Sequence, residues 1–224
     1  MLLNLLLGGE IADFLLSLLL SLPIVLFSLS LHEAAHGFAA YKLGDPTARS
    51  MGRLTLNPLR HLDPIGFLCM LLLGYGWAKP VPVNTRCFRN PRRDMAITGV
   101  AGPISNLLLA VVFALLLKVE YLALDAITLN GDIAFQFFYW MQQFFLIAIR
   151  LNVTLAVFNL IPIPPLDGSR LLFAFLPPEQ YFKFMRYERY ISIILLLALA
   201  LGFLDTPINF VSNLFLRLIE TVIF

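Results

Sequence analysis

The sequence predicts an all-α membrane protein of about five transmembrane helices, with a re-entrant segment and a small membrane-associated β-sheet. Two observations lead there. Of 224 residues, 59% are hydrophobic and only 13% charged, too apolar a composition for a soluble domain of this size to keep its surface wet. Several apolar runs are also long enough to cross a hydrocarbon core about 30 Å thick, which takes roughly 20 helical residues. A single domain over residues 1–224 is expected, because the spans leave too little chain for a second.

The spans are expected near Phe14 to Ala40, Ile97 to Leu117, Ile133 to Ile161, Ile191 to Leu204 and Ile208 to Phe224. The run Met1 to Leu7 ends in Gly8-Gly9-Glu10 and no Lys or Arg precedes Lys42, so the basic n-region of a secretory signal is missing. The run Ile65 to Trp77 is shorter. As a helix it reaches only about 20 Å at roughly 1.5 Å per residue, and basic loops flank it on both sides, so it is expected to be re-entrant. Arg53-Leu54-Thr55-Leu56-Asn57 alternates polar with apolar before Pro58, a strand pattern. Pro80-Val81-Pro82-Val83 excludes helix and suits a second, edge strand. Pro207 lies where it can join the last two spans as a hairpin. Cys69 and Cys87 form neither a CxxC site nor a disulfide framework and read as unpaired thiols.

Charge orients these spans. Lys42, Arg49, Arg53, Arg60, Lys79, Arg86, Arg89, Arg92 and Arg93 crowd the loops around the short run, which places those loops in the cytoplasm. Five crossings then put the acidic connection with Glu120, Asp125 and Asp132 outside, the segment with Arg170, Lys183, Arg186 and Arg189 inside, the N-terminus outside and the C-terminus inside. Topology accounts for the basic loops, so nucleic-acid binding is not expected. An integral protein of the plasma membrane is, with its active site toward the cytoplasmic side.

Within the first span stands His32-Glu33-Ala34-Ala35-His36, three ionisable groups in five residues of an otherwise apolar helix. A carboxylate at membrane depth costs about 3 kcal/mol even on lenient insertion scales, so it persists where it works or has a partner. Residues four apart lie about 40° apart around the helix axis, so both imidazoles can reach one zinc ion. Glu33 is placed to act on a water there rather than on the metal. A catalytic zinc needs a third protein ligand. Asp167, after the prolines 162, 164 and 165, is the best candidate, and equally suits capping a helix that begins near Ser169. Asn159 and Asn152 are seven apart on one helical face and can donate to a developing oxyanion or to substrate backbone. Their bland role is interhelical hydrogen bonding. Arg150 lies inside an apolar run and must snorkel or find a carboxylate. His61, beside Asp63 in a basic loop, reads as a solvated histidine.

Several separated motifs in order resemble the site-2 protease family of membrane-embedded zinc metalloproteases, in its small form without PDZ or CBS domains. They are His32 to Gly37, Leu43 to Ala48, Arg53 to Pro58, His61 to Gly66, Trp77 to Val83, Gly102-Pro103-Ile104-Ser105-Asn106 and Asn159 to Gly168. The resemblance implies one catalytic Zn2+ held by His32, His36 and Asp167, with Glu33 as general base. It also implies that the extended segments and the Gly102 to Asn106 turn, Asn106 included, position a transmembrane protein substrate in the lipid bilayer. Two other classes compete. A transporter would show paired broken helices and internal symmetry, and no repeat is seen. A non-catalytic metal-binding scaffold would need the ligands but not Glu33.

Overall fold

A computed structural model describes residues 11–73, 76–126, 132–177 and 186–224. Its elements are α1 (Ile11–Lys42), α2 (Thr47–Ser50), α3 (Pro64–Leu73), α4 (Pro91–Ala126), α5 (Asp132–Leu160), α6 (Gly168–Phe175), α7 (Glu188–Ala200) and α8 (Asp205–Ile223), with single 3-10 turns at Pro58–Arg60 and Thr85–Cys87. Among the described residues three helices are long and apolar enough to cross a membrane: Leu16–Lys42, Pro91–Leu124 and Ile133–Leu160. A fourth span arises only if α7 and α8 count as one, and these two meet at 80°.

The expected count of about five is therefore not reached among the described residues. Residues 191–200 and 208–223 are helical as expected, but the chain turns sharply between α7 and α8. Gly202 takes φ +74°, and the Phe203 N–H returns to the Ala198 carbonyl at 3.0 Å, a helix-ending turn that glycine adopts without a Cβ penalty.

The expected β-sheet is also not found among the described residues, where a lone bridge pairs Leu62 with Ala78. Thr55 and Asn57 turn their side chains onto the Asn57 and Leu59 amides, which bends the first segment into a 3-10 turn. Pro80 and Pro82 have no N–H for a ladder. The segment 79–81 is held by a side chain instead: buried Arg53 donates to the carbonyls of Arg60, Lys79 and Pro80. The short run does form α3, although residues 74 and 75 lie outside the described part.

Helix α4 extends beyond the expected Ile97 to Leu117 at both ends, and its early start has a local cause. Asn90 accepts from Arg93 N, Asp94 reaches back to Asn90 N, and Pro91 stands at the first helical position. Helix α5 ends at Leu160, where Pro162, Pro164 and Pro165 forbid continuation.

Packing is inverted relative to a soluble protein. Leu108, Ile133 and Phe210 are 62%, 86% and 75% exposed, while Ser28, Thr98, Asn106 and Asn152 are fully buried. Apolar side chains outside and polar ones inside fit a lipid surround, where outward hydrocarbon costs nothing and polar groups need partners. The apolar core runs from Ala110, Ala114 and Leu117 of α4 through Ile149, Val153 and Val157 of α5 to Leu195, Leu199, Ile208 and Ile219 of α7 and α8. The small alanines of α4 let α5 approach closely.

Candidate active site

Helix α1 carries His32 and His36 on one face, and the turn after α5 brings Asp167 against them. His32 Nε2 lies 2.9 Å from Asp167 Oδ2, His36 Nε2 lies 3.0 Å from the same oxygen, and the two Nε2 atoms are 3.0 Å apart. All three residues are buried. Asp167 occupies the position before α6, but its side chain makes no capping bond. It faces the histidines, and its second oxygen, Oδ1, stands 3.5 Å from Arg170 Nη1.

The arrangement is short of something positive at its centre. His36 Nδ1 lies 2.6 Å from the Thr98 carbonyl, an acceptor, so this nitrogen carries the proton and Nε2 of a neutral ring presents a lone pair. That lone pair meets a carboxylate oxygen and a second imidazole nitrogen. A proton or a cation among them removes the repulsion, and two imidazole nitrogens with one carboxylate oxygen are a donor set that zinc accepts while keeping a position open. Helix α4 passes directly over this point at Gly102. A Cβ there would lie 2.4 Å from His36 Nε2 and 2.6 Å from His32 Nε2, so the helix can close the site from this side only as glycine. The residues present fit a zinc ion.

The three groups open on a cavity of about 480 Å³. Glu33, Asn159 and Arg170 add polar atoms to its wall, and Trp77, Phe158, Leu195 and Leu199 make much of the rest. Glu33 Oε2 accepts from the Val81 N–H at 2.9 Å, so the extended segment after α3 fixes the carboxylate beside the histidines. Asn159 donates to the Leu155 carbonyl of its own helix. Asn106 and Asn152 are not among the described residues that line the cavity. Both are fully buried between helices.

Arg150 lies on the exposed face of α5, away from these groups. His61 departs from the expectation of a solvated histidine: it is 2% exposed, and its Nε2 lies 2.7 Å from the Thr55 carbonyl. Its ring is needed inside because the segment folds around it. Sequence reasoning took Arg170 only as a topological charge, although its i+3 spacing from Asp167 on a helix start was a usable signal. Thr98 acts through its backbone carbonyl, for which the sequence holds no signal.

The profile of Peptidase family M50 matches residues 19–202. The chain is 44% identical over 183 residues to "Putative zinc metalloprotease YwhC" of Bacillus subtilis, covering 81% of this chain and 80% of that protein. It is 36% identical over 159 residues to "Putative zinc metalloprotease Rip2" of Mycolicibacterium smegmatis, covering 69% of this chain and 56% of the relative. A Methanocaldococcus jannaschii protein, "Putative zinc metalloprotease MJ0611", is 30% identical over 152 residues, covering 66% of this chain and 71% of the relative. No solved structure matches the chain. With a family profile over most of its length, apolar helices long enough to span a bilayer and a buried group fit for zinc, the chain belongs to Peptidase family M50, the site-2 proteases, and is a zinc metalloprotease of the membrane.

Proposed function

We propose that the protein hydrolyses peptide bonds within or near transmembrane segments of membrane-protein substrates, with one zinc ion held by His32, His36 and Asp167 and with Glu33 as general base. The observation that carries this reading is the convergence of three buried ligand atoms, 2.9 to 3.0 Å apart, on a cavity wall of a helix apolar enough to span the bilayer. When bound there, zinc supplies a Lewis acid that lowers the pKa of water toward about 7 and polarises a carbonyl.

The chain's own residues do the rest. Val81 N–H fixes Glu33 through Oε2, which leaves the carboxylate oriented to take a proton from the attacking water and pass it to the leaving amine. Arg170, at Oδ1 of Asp167, turns Oδ2 toward the imidazoles. Trp77, Phe158 and the α7 leucines exclude bulk water from the cavity. A peptide bond in a helical substrate is shielded by neighbouring turns, so the substrate is unwound and lies extended along the segments near Arg53 to Asn57 or Val81 to Asn84. Helix-breaking residues in the substrate favour cleavage for the same reason.

His32 and His36 stand in the last three turns of α1, next to the basic 43–93 segment, which supports an active site on the cytoplasmic side of the plasma membrane. The chain acts as one protease domain whose partners are a transmembrane substrate and the lipid around it.

Glu33→Gln tests the mechanism. The variant keeps the zinc of the wild-type protein, while cleavage of a membrane-spanning reporter falls about 10²- to 10⁴-fold. Full activity in that variant would refute Glu33 as the base. Asp167→Ala loses most of the zinc, measured per mole of protein in mild detergent, and retention would refute the third ligand.

A further inference from the structure

The two histidines are supported unequally. His36 donates its Nδ1–H to the Thr98 carbonyl, whereas His32 Nδ1, also buried, has no hydrogen-bond partner among the described residues. A histidine that binds metal through Nε2 carries a proton on Nδ1, and that proton needs an acceptor that fixes the ring. The register of the helices indicates where it is.

Helices α1 and α4 run antiparallel. Thr98 meets His36, and four residues further along α4 Gly102 lies over His32 and His36. One more turn along α4 reaches Asn106, and one turn back along α1 from His32 reaches Ser28. Helix α5 arrives at the same level. Phe113 of α4 packs on Phe144 and Phe145 of α5, with ring centroids 6.2 and 6.3 Å apart, so two turns back on α4 and two turns on along α5 face Asn106 with Asn152. Ser28, Asn106 and Asn152 are all 0% exposed. Ser28 Oγ, both polar atoms of Asn106 and Asn152 Oδ1 have no partner among the described residues. Asn152 Nδ2 is spent on the Ala148 carbonyl, so its oxygen faces the gap as an acceptor only.

Leaving that many polar atoms orphaned in one layer is destabilising, and helices meant only to pack would carry alanine there, as α4 does one turn on at Ala110. We infer that Asn106 is a positioning residue for the zinc site: across one ordered water its side-chain carbonyl accepts the hydrogen bond that His32 Nδ1–H donates, while Ser28 and Asn152 complete the hydrogen bonds of that buried layer. Asn106 thereby does for His32 what the Thr98 carbonyl does for His36. It touches neither substrate nor zinc. The inference rests on the assignment of His32 as a ligand.

The test is zinc affinity of the full-length protein in detergent, by competition with a chelator, together with the visible spectrum of the cobalt-substituted protein. Asn106→Leu weakens zinc binding about 10- to 100-fold and shifts the cobalt bands, and the metal-free protein unfolds somewhat below the wild-type temperature because Ser28 and Asn152 lose a partner. Asn106→Asp keeps an acceptor oxygen and recovers most of the affinity. Wild-type affinity and an unchanged cobalt spectrum in Asn106→Leu would overturn the inference, as would equal losses in both variants accompanied by a lower unfolding temperature without metal.

Should Asn106→Leu fail to fold, nitrogen-labelled histidine in the wild-type zinc protein decides: a His32 Nδ1 proton protected from solvent exchange is expected, and an unprotonated or freely exchanging Nδ1 overturns the inference. His32→Ala separates the two failures, because zinc retained in that variant refutes the assignment of His32 as a ligand, and zinc lost there with Asn106→Leu unaffected refutes the role of Asn106 alone.

Discussion

The bundle of α1, α4 and α5 and the segment between α1 and α4 flank the same buried histidines and Glu33, but they are held by opposite means. In the bundle, position follows from helix register: Thr98 and Gly102 of α4 meet His36 and His32 of α1, and Asn106 and Ala110, one and two turns further along α4, stand at the register of Ser28 and Ile24 one and two turns back along α1, all of them buried. In the segment from Leu43 to Asn90 regular structure is short, and two buried side chains do the fastening. Arg53 grips three carbonyls, and Asp45 accepts from the Thr47 hydroxyl, Thr47 N and Asn84 N. A bundle can place metal ligands to a few tenths of an ångström because every turn repeats the constraint. A segment tied at two points can carry the groups that must meet varied substrates, and it reaches the chemistry through Val81, which holds Glu33, and through Trp77 in the cavity wall. Damage to the bundle should therefore cost metal, and damage to the segment should cost turnover with the metal in place.

The largest effect is expected at Gly102. Gly102→Ala puts a methyl group 2.4 to 2.6 Å from both zinc-facing nitrogens, so α4 must move or the imidazoles must turn. Overpacking of this kind costs about 1–3 kcal/mol of stability, and zinc content and cleavage are both lost. Wild-type zinc content with a wild-type unfolding temperature in Gly102→Ala would show that the bundle does not close on the metal.

A smaller effect, of another kind, is expected at Arg53. Arg53→Met removes charge-assisted bonds of about 1.5–3 kcal/mol and loosens residues 79–81, the stretch that orients Glu33. Zinc per mole stays as in wild type, hydrogen exchange at the Val81 amide quickens, and reporter cleavage falls about 10- to 100-fold at 1.4 kcal/mol per tenfold. Arg53→Lys recovers little, since an ammonium cannot span carbonyls on both sides as a guanidinium does. Loss of zinc in step with activity would break the comparison and make bundle and segment one cooperative unit.

The same division explains what the sequence made legible. His32, Glu33 and His36 stand out in the sequence because three ionisable groups in an apolar helix have few uses, and Asp167 because prolines end α5 just before it; the fold brings the two histidines and Asp167 together. Long apolar runs gave α1, α4 and α5. The segment was misread as strands because alternation in Arg53 to Asn57 and the prolines at 80 and 82 say only that the chain is extended; what pairs with it is a tertiary fact, and here a guanidinium replaces the ladder. The count of spans failed for a related reason. Hydropathy registers 191–204 and 208–224 as apolar, yet the direction of the chain between them depends on one glycine in the left-handed region. The buried layer of Ser28, Asn106 and Asn152 was visible only as separate residues, because its coherence is set by the register of three helices.

The smallest effect distinguishes the segment's second fastening. Burial alone would raise the pKa of Asp45, but the bonds from Thr47 and Asn84 outweigh it and hold the carboxyl below its ordinary value. A folded-state pKa below the unfolded one means that the unfolded chain binds the proton first as pH falls. The stabilisation is therefore complete above about pH 4, the ordinary carboxylate range, and is lost as pH drops through the folded-state value. Asp45→Asn keeps the shape and loses the charge, lowering stability by about 1 kcal/mol at neutral pH, with zinc content unchanged. Thermal unfolding in detergent from pH 7 to pH 3 checks the sign. The gap between wild type and variant should close in acid, and a gap of constant size would mean that Asp45 fastens the segment by shape and not as a carboxylate.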